Sequence, residues 1–361
     1  MIKDYQQYKN RHLAFWSLEN VDHPLVGFTL GAGLDSWSYW QYNRATQTLF
    51  KRSVILPENI NVNDFVEDQL KYMEQAEKIN DDVIRSAMPL ASIPWMEAML
   101  GCSVISAGSH LKGKEFLDEP ALLNFVEITS ENPWAKKYIE FVNVYKNKFE
   151  GRYPVGQSIL RGPSDIASAM LGAENATISL LDSPEAMYNL LDYITNQLEY
   201  FLKLQLKCLP KFEDGYVIGQ YEIWAPEPAI RIQEDFSTLY SPSLYDEYLK
   251  PLDFRLAGIS EYTLIHLHSS SLFLIDNIMN VEPIRAFQIT KDPGVLKLDK
   301  MIPPLQKIQQ AGKPLIIKGQ FDKYDIDLMK QQLKLNGLCI QPVVKNLSEA
   351  NELLPLLRSW N

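Results

Sequence analysis

Cysteine is scarce in this chain. Its 361 residues hold three, Cys102, Cys208 and Cys339, and no CxxC pair. So sparse and odd a set argues against a disulfide scaffold and for a reducing compartment. Positive charge is also thin. No Lys/Arg run exceeds two residues, and the formal net charge is −10. That excludes the basic stripe of a nucleic-acid binder, and anionic ligands must be held by local positive groups. No stretch approaches the roughly 18 apolar residues of a spanning helix. The first ten residues are polar, without a signal peptide's apolar region. The expectation is a soluble cytoplasmic protein with no membrane partner. Nucleotide signatures are missing too: no GxGxxG follows an apolar run, and there is no GxxxxGK[ST].

What is present is apolar residue in quantity, 46% of the chain, enough for a sizeable core. From residue 216 onward, short apolar runs alternate with amphipathic stretches of helical length. Tyr216–Tyr221, Tyr262–His268, Ala286–Thr290, Pro314–Lys318 and Leu338–Val344 read as strands. Ser241-Pro242 opens a helix towards Gly258. Further helices are expected near Leu272–Met279, Leu305–Ala311 and Asp325–Leu335, and Asn346-Leu-Ser-Glu349 resembles a capping box for the last one. A long helix opens at Ser183-Pro184, and its apolar stripe from Met187 to Leu202 is core packing. Strand-helix units in series predict a parallel sheet covered by helices. The fold expected is α/β: a single (β/α)8 TIM-barrel domain over residues 1–361. The first ninety residues, with Leu25–Leu30 as a possible strand, Val62–Ile79 as a helix and an aromatic stretch at Ser36–Tyr42, form a helical and irregular N-terminal extension packed on the barrel.

Chemistry points first to His266-Leu-His268. Residues i and i+2 of a strand share a face, so both imidazoles can reach a strand end and suit a divalent metal. The alternative is a core histidine beside a rim histidine bonded to the serines that follow. Glu97, among apolar neighbours, can act as acid or base or pack a helix. Asp235, before a helix start, can orient a histidine, face substrate or cap that helix. Gln157, Arg161, Gln288, Lys318 and Gln341 are polar groups at apolar run ends, where partners are substrate or internal. Lys318 suits an anionic group. Trp224 can line a pocket or cover a rim, and Cys339 is a ligand or inert packing.

Several of these stretches, in order, resemble the uroporphyrinogen decarboxylase superfamily, which includes corrinoid-dependent methyltransferases. Arg11–Phe28 (RHLAFWSLENVDHPLVGF), Pro94–Val104 (PWMEAMLGCSV), Gly162–Gly172 (GPSDIASAMLG) and Asp235–Tyr248 (DFSTLYSPSLYDEY) look like its motifs. His266–Ser270 falls where the family has a His-led strand end. The resemblance implies a TIM barrel with its site at the C-terminal mouth. Gly31–Arg44 holds a single Arg, and Ala91 or Ser92 stands where the decarboxylase has an essential Asp, so uroporphyrinogen decarboxylation is not expected. The family's methyltransferases hold zinc through His-x-Cys and a later Cys. Here His266 matches, His268 replaces the first Cys, and Cys339 is the later one. The implied function is metal-dependent transfer of a methyl group between a small substrate, donor or acceptor, and a corrinoid. No D-x-H-x-x-G segment is present, so the corrinoid would come on a partner protein. Zinc or another divalent ion would be the metal, and a homodimer is compatible with the resemblance. The alternatives are a decarboxylase or lyase acting on a small acid, and a non-catalytic barrel binding a tetrapyrrole or metabolite.

Overall fold

A computed structural model describes residues 5–31, 44–108, 110–122 and 126–360. The aromatic stretch Ser36–Tyr42 lies outside them. The chain folds as an α/β protein around a seven-stranded sheet whose pairs are all parallel. In chain order its strands are β1 (Leu25–Val26), β2 (Thr29–Leu30), β8 (Ala229–Gln233), β9 (Tyr262–His268), β10 (Ala286–Lys291), β11 (Leu315–Gly319) and β12 (Leu338–Val344). Across the sheet the order is β1-β12-β11-β10-β9-β8, with β2 also on β12. The short antiparallel pairs β3 (Val54–Ile55), β4 (Ser103–Ser106) and β5 (Leu111–Lys114), and β6 (Tyr216–Ile218) with β7 (Ile223–Ala225), lie off this sheet.

The strands are buried on both faces, for two different reasons. On one face Ile230, Ile232, Ile265, Leu267, Phe287, Ile289, Ile317 and Ile340 join the main core. They pack with helices such as Pro184–Cys208, whose stripe from Met187 to Leu202 is buried as its spacing requires. On the inner face the lower positions Leu25, Ala229, Leu264, Ala286, Ile316 and Cys339 form a small apolar floor. Two residues further along β8 to β12, that face turns polar. Register aligns the result: Gln233 pairs with His266, His266 with Gln288, Thr290 with Lys318, and Lys318 with Gln341.

Between β2 and β8 no continuous ladder runs among the described residues, so the closed eight-strand ring expected from sequence is not traced. Isolated bonds span the gap instead. Asp82 N–H donates to Val26 O at 2.7 Å, Ala87 pairs parallel with Val155, and Gln157 bonds the Arg231 backbone through both amide atoms, at 2.7 and 3.2 Å.

Three expectations need correction. Tyr216–Tyr221 is not a sheet strand; its first half makes the β6–β7 hairpin, and the sheet strand is Ala229–Gln233. Arg231 and Gln233 break the apolar run there and hid it. Leu25–Leu30, placed in the N-terminal extension, pairs with β12 inside the sheet itself. Near Leu272 the chain forms a 3-10 turn, Ser269–Leu274, before one helical turn, Ile275–Ile278. The other helices stand within a few residues of expectation, though Leu298–Gln310 runs through Pro303 and Pro304 rather than starting after them. Among the described residues no helix is long and apolar enough to cross a membrane, and the three cysteines are unpaired.

Helix starts follow their caps. Ser241 Oγ accepts from Leu244 N–H at 3.2 Å, with Pro242 in the first turn. Asp322 Oδ1 accepts from Asp325 N–H at 2.8 Å to open the helix Lys323–Gln332. Asp322→Ala should cost about 1 kcal/mol. Urea unfolding checks this: the midpoint should drop with the slope unchanged, and an unaltered midpoint would show that the cap is idle.

Candidate metal centre

β8 and β9 are neighbours, and their C-terminal ends bring three residues together. His266 and His268 share the inner face of β9, and Asp235 follows β8 by two residues. His266 Nε2 lies 3.4 Å from His268 Nε2 and 3.7 Å from Asp235 Oδ1, and His268 Nε2 lies 3.6 Å from Asp235 Oδ2. Zinc bonds nitrogen and oxygen at about 2.0–2.2 Å. The edges of a tetrahedron on such bonds measure about 3.3–3.6 Å, so the three groups stand at the spacing of a shared ion. Among the described residues this is the one group of three potential ligands within such reach.

The atoms behind the ligands fix their roles. His266 Nδ1 meets Gln288 Oε1 and lies 3.0 Å from Tyr221 OH, which itself donates to Gln288 Oε1 at 2.6 Å. An amide oxygen can only accept. Nδ1 therefore carries the proton, and the Nε2 lone pair faces the cluster. His268 Nδ1 donates to Asp292 Oδ1 at 2.6 Å, and Asp292 Oδ2 is held by Ser269 N–H at 2.8 Å and Oγ at 2.7 Å. A carboxylate behind a ligating imidazole orients it and raises its basicity. Asp235 Oδ2 accepts from Gln233 Nε2 at 2.7 Å, while its Oδ1 has no hydrogen bond among the described residues.

Charge follows the same pattern. Burial, reinforced by the Arg231 guanidinium, pushes His266 down to about 3 and keeps it neutral. Burial acts the same way on His268, but the Asp235 and Asp292 carboxylates outweigh it and lift that imidazole to about 10. Burial raises Asp235, and His268, His266 and Arg231 together hold it down at about 2. The cluster thus draws one positive charge to itself, and a metal ion bound there would take the place of the His268 proton. Asp292→Asn should keep the fold and weaken metal affinity about 10–100-fold. Competition against a chromogenic chelator reads this directly, and equal affinities would remove Asp292 from the site.

The other residues singled out from sequence are dispersed. Glu97, fully buried in the helix Trp95–Met99, lies 3.2 Å from Arg161 Nη1. It therefore stands behind Arg161 and outside the cluster. Arg161 lines an open cavity of about 640 Å³ together with Asp165, Gln233, Asp235 and Phe236. Gln288 supports His266, as described. Gln157 is spent on the Arg231 backbone. Gln341 donates to Tyr221 O at 2.7 Å and, with Lys318, lines a small inner cavity. Trp224 is buried against Ile84, Phe212 and Val217, its indole N–H donating to Phe212 O at 3.0 Å, and touches neither cavity. Cys339, expected as the third ligand, sits on the apolar floor beside Leu25 and Ile316. Burial holds its thiol well above the usual range. Asp235 lies beside the two histidines instead.

Sequence reasoning missed Tyr221, Arg231, Gln233 and Asp292. The alternation Ala-Ile-Arg-Ile-Gln was signal enough for a strand with one polar face, and so for Arg231 and Gln233. Nothing local separates Asp292 from the chain's other acids.

No known family profile and no curated protein sequence matches the chain. A solved structure, a methyltransferase from Methanosarcina mazei, matches it with a TM-score of 0.64, covering 98% of this chain and 98% of that one at 12% identity. At that identity the likeness establishes a shared fold.

Proposed function

We propose that the chain is a metal-dependent methyltransferase of the uroporphyrinogen-decarboxylase-like superfamily. It would work in the cytoplasm with a corrinoid carried on a separate protein. The observation that carries this reading is the triangle of two Nε2 atoms and a carboxylate at tetrahedral spacing, with both Nδ1 atoms already engaged from behind. The whole-length fold likeness to a methyltransferase supports it. In this reading the segments 82–88 and 154–160 complete a (β/α)8 barrel, and the cluster lies at its C-terminal mouth, where such barrels carry their sites.

Asp235, His266 and His268 would hold the ion, zinc by its preference for nitrogen and oxygen in four-coordination. Bound there, it would supply a Lewis acid for the methyl donor or acceptor. Gln288 and Tyr221 keep His266 in the ligating tautomer, and Asp292 does so for His268. The open cavity next to Asp235 gives substrate and corrinoid one approach, with Arg161 on its wall. Cys339 has no part in this site, and oxygen in place of sulfur suits an ether or amine methyl donor over a thiol.

The test is methyl transfer to free cob(I)alamin. Zinc-loaded protein would be offered methyl ethers, methylamines and methyl thiols, with methylcob(III)alamin read by absorbance. Conversion should need the metal and both histidines. No conversion with any donor, or equal rates after His266→Ala/His268→Ala, overturns the reading.

A further inference from the structure

Above the apolar floor of the inner face stand Arg231, His266, Gln288, Lys318 and Gln341, each two residues beyond a floor residue of its own strand. Two of the five are cations. Arg231 is 2% exposed and Lys318 is 4% exposed, so both side chains are buried. Neither forms an ion pair among the described residues. Arg231 has only long contacts, Nε to Tyr221 OH at 3.4 Å and Nη1 to Leu160 O at 3.5 Å, and its Nη2 has no partner. Among the described residues the Lys318 ammonium makes no hydrogen bond; it faces the Tyr221 ring at 5.4 Å from its centre, and Arg231 Cζ is 6.0 Å from the same centre. Burying a charge without a partner is costly, and proteins avoid it unless a ligand supplies the partner.

The space beside Lys318 says which ligand. It opens into a cavity of about 20 Å³, lined also by Ser86, Tyr221, Glu222 and Gln341. A water needs about 10–15 Å³, so the cavity admits one or two oxygen-sized atoms. The two oxygens of a carboxylate match that space, and the four of a phosphate ester exceed it. Glu222 makes no ion pair with Lys318; its carboxylate is bound by Arg85 at 2.5 Å.

We propose that Lys318, with Arg231 across the Tyr221 ring, forms a carboxylate-binding site on the inner face, next to the metal cluster. Lys318 holds the anion, and Arg231 contributes field. Burial and Arg231 bring the Lys318 ammonium down to about 8 against the pull of Glu222. Tyr221 joins the two sites, since its hydroxyl lies 3.0 Å from His266 Nδ1. The carboxylate is either part of the substrate or a free small anion such as bicarbonate. The site stands without the metal, so its fate is separable from that of the proposed function.

The experiment is calorimetric titration of the full chain with formate, bicarbonate, acetate and methoxyacetate at constant ionic strength, with formamide as the neutral control. Wild type and His266→Ala/His268→Ala are both titrated, the latter because it excludes coordination of the anion by a metal. Saturable binding of the anions and not of formamide is expected in both. Lys318→Met should weaken it at least about tenfold, and Arg231→Met by less. Both variants should fold, because an apolar side chain replaces an unpaired buried charge; thermal melts check that. Binding confined to formate and bicarbonate identifies a free anion, and tighter binding of the longer acids identifies a substrate carboxylate. No saturable binding by wild type, or undiminished binding by folded Lys318→Met, overturns the proposal.

Discussion

Replacing His266 and His268 together by alanine should take bound zinc from about one ion per chain to under about a tenth of one. Two of the three groups at ion-sharing distance are lost, and Asp235 alone cannot close a tetrahedral site. The loss should appear in elemental analysis after dialysis against zinc-buffered solution. It should also appear in stability. An ion that binds only the folded chain adds about 2.7 kcal/mol at a hundredfold excess over its dissociation constant. Zinc should therefore raise the unfolding midpoint of wild type and leave that of the double variant unchanged. His266 is buried and bonded to Gln288 and Tyr221, so the variant also forfeits about 1–3 kcal/mol from polar groups left unpaired. Its intactness must be checked by circular dichroism. Two single variants sharpen the result: Asp235→Ala should lose the ion, and Cys339→Ala should keep it. Zinc absent from wild type, or lost with Cys339, sinks the assignment.

The contrast between Cys339 and Asp235 shows where sequence stops being legible. Cys339 lies on the correct face of its strand. Its height is wrong: Gln341, two residues and about 6.6 Å further along, occupies the polar layer. Strand periodicity gives the face, while the stagger between neighbouring strands gives the height, and only the paired register reveals stagger. His266 and His268 were readable because both lie on one strand, where spacing of two is sufficient. Asp235 was recognised, but its closeness to the two histidines depends on β8 lying beside β9. That was hidden while Tyr216–Tyr221, the more apolar segment, looked like the strand. The parallel sheet and its helices were legible because their patterns are local. The path of the chain between β2 and β8 was not, because isolated bonds stand there in place of a ladder and no periodicity survives.

Arg85→Met should cost about 3–5 kcal/mol, the penalty for stranding carboxylates in the interior. The side chains concerned are 1% exposed for Arg85, 3% for Asp81 and 10% for Glu222. The guanidinium bridges both acids and also donates to Phe28 O at 3.0 Å and Ala76 O at 3.3 Å. It therefore ties β2's approach, the end of the helix Asn63–Ala76 and the tip of the β6–β7 hairpin to one point. Against a typical total of about 5–15 kcal/mol, the loss is a large fraction. Arg85→Lys should rescue little, since an ammonium cannot span two carboxylates as a planar fork does. The dependence on pH separates charge from packing. Burial raises the Asp81 carboxyl, Arg85 lowers it and Glu222 raises it, leaving it at about 7 against 3.8 in the open chain. A carboxyl raised on folding binds its proton more tightly in the folded state. Its unfavourable contribution is full above about 7 and is relieved as pH falls towards 4. Without Arg85 the opposing charge is gone, so Asp81 retains its proton to still higher pH. The variant's deficit relative to wild type should be greatest at pH 8 and should narrow by pH 5.5, read as the difference in urea midpoints. A deficit that stays constant between those two pH values would assign the effect to lost packing and backbone bonds, and not to stranded charge.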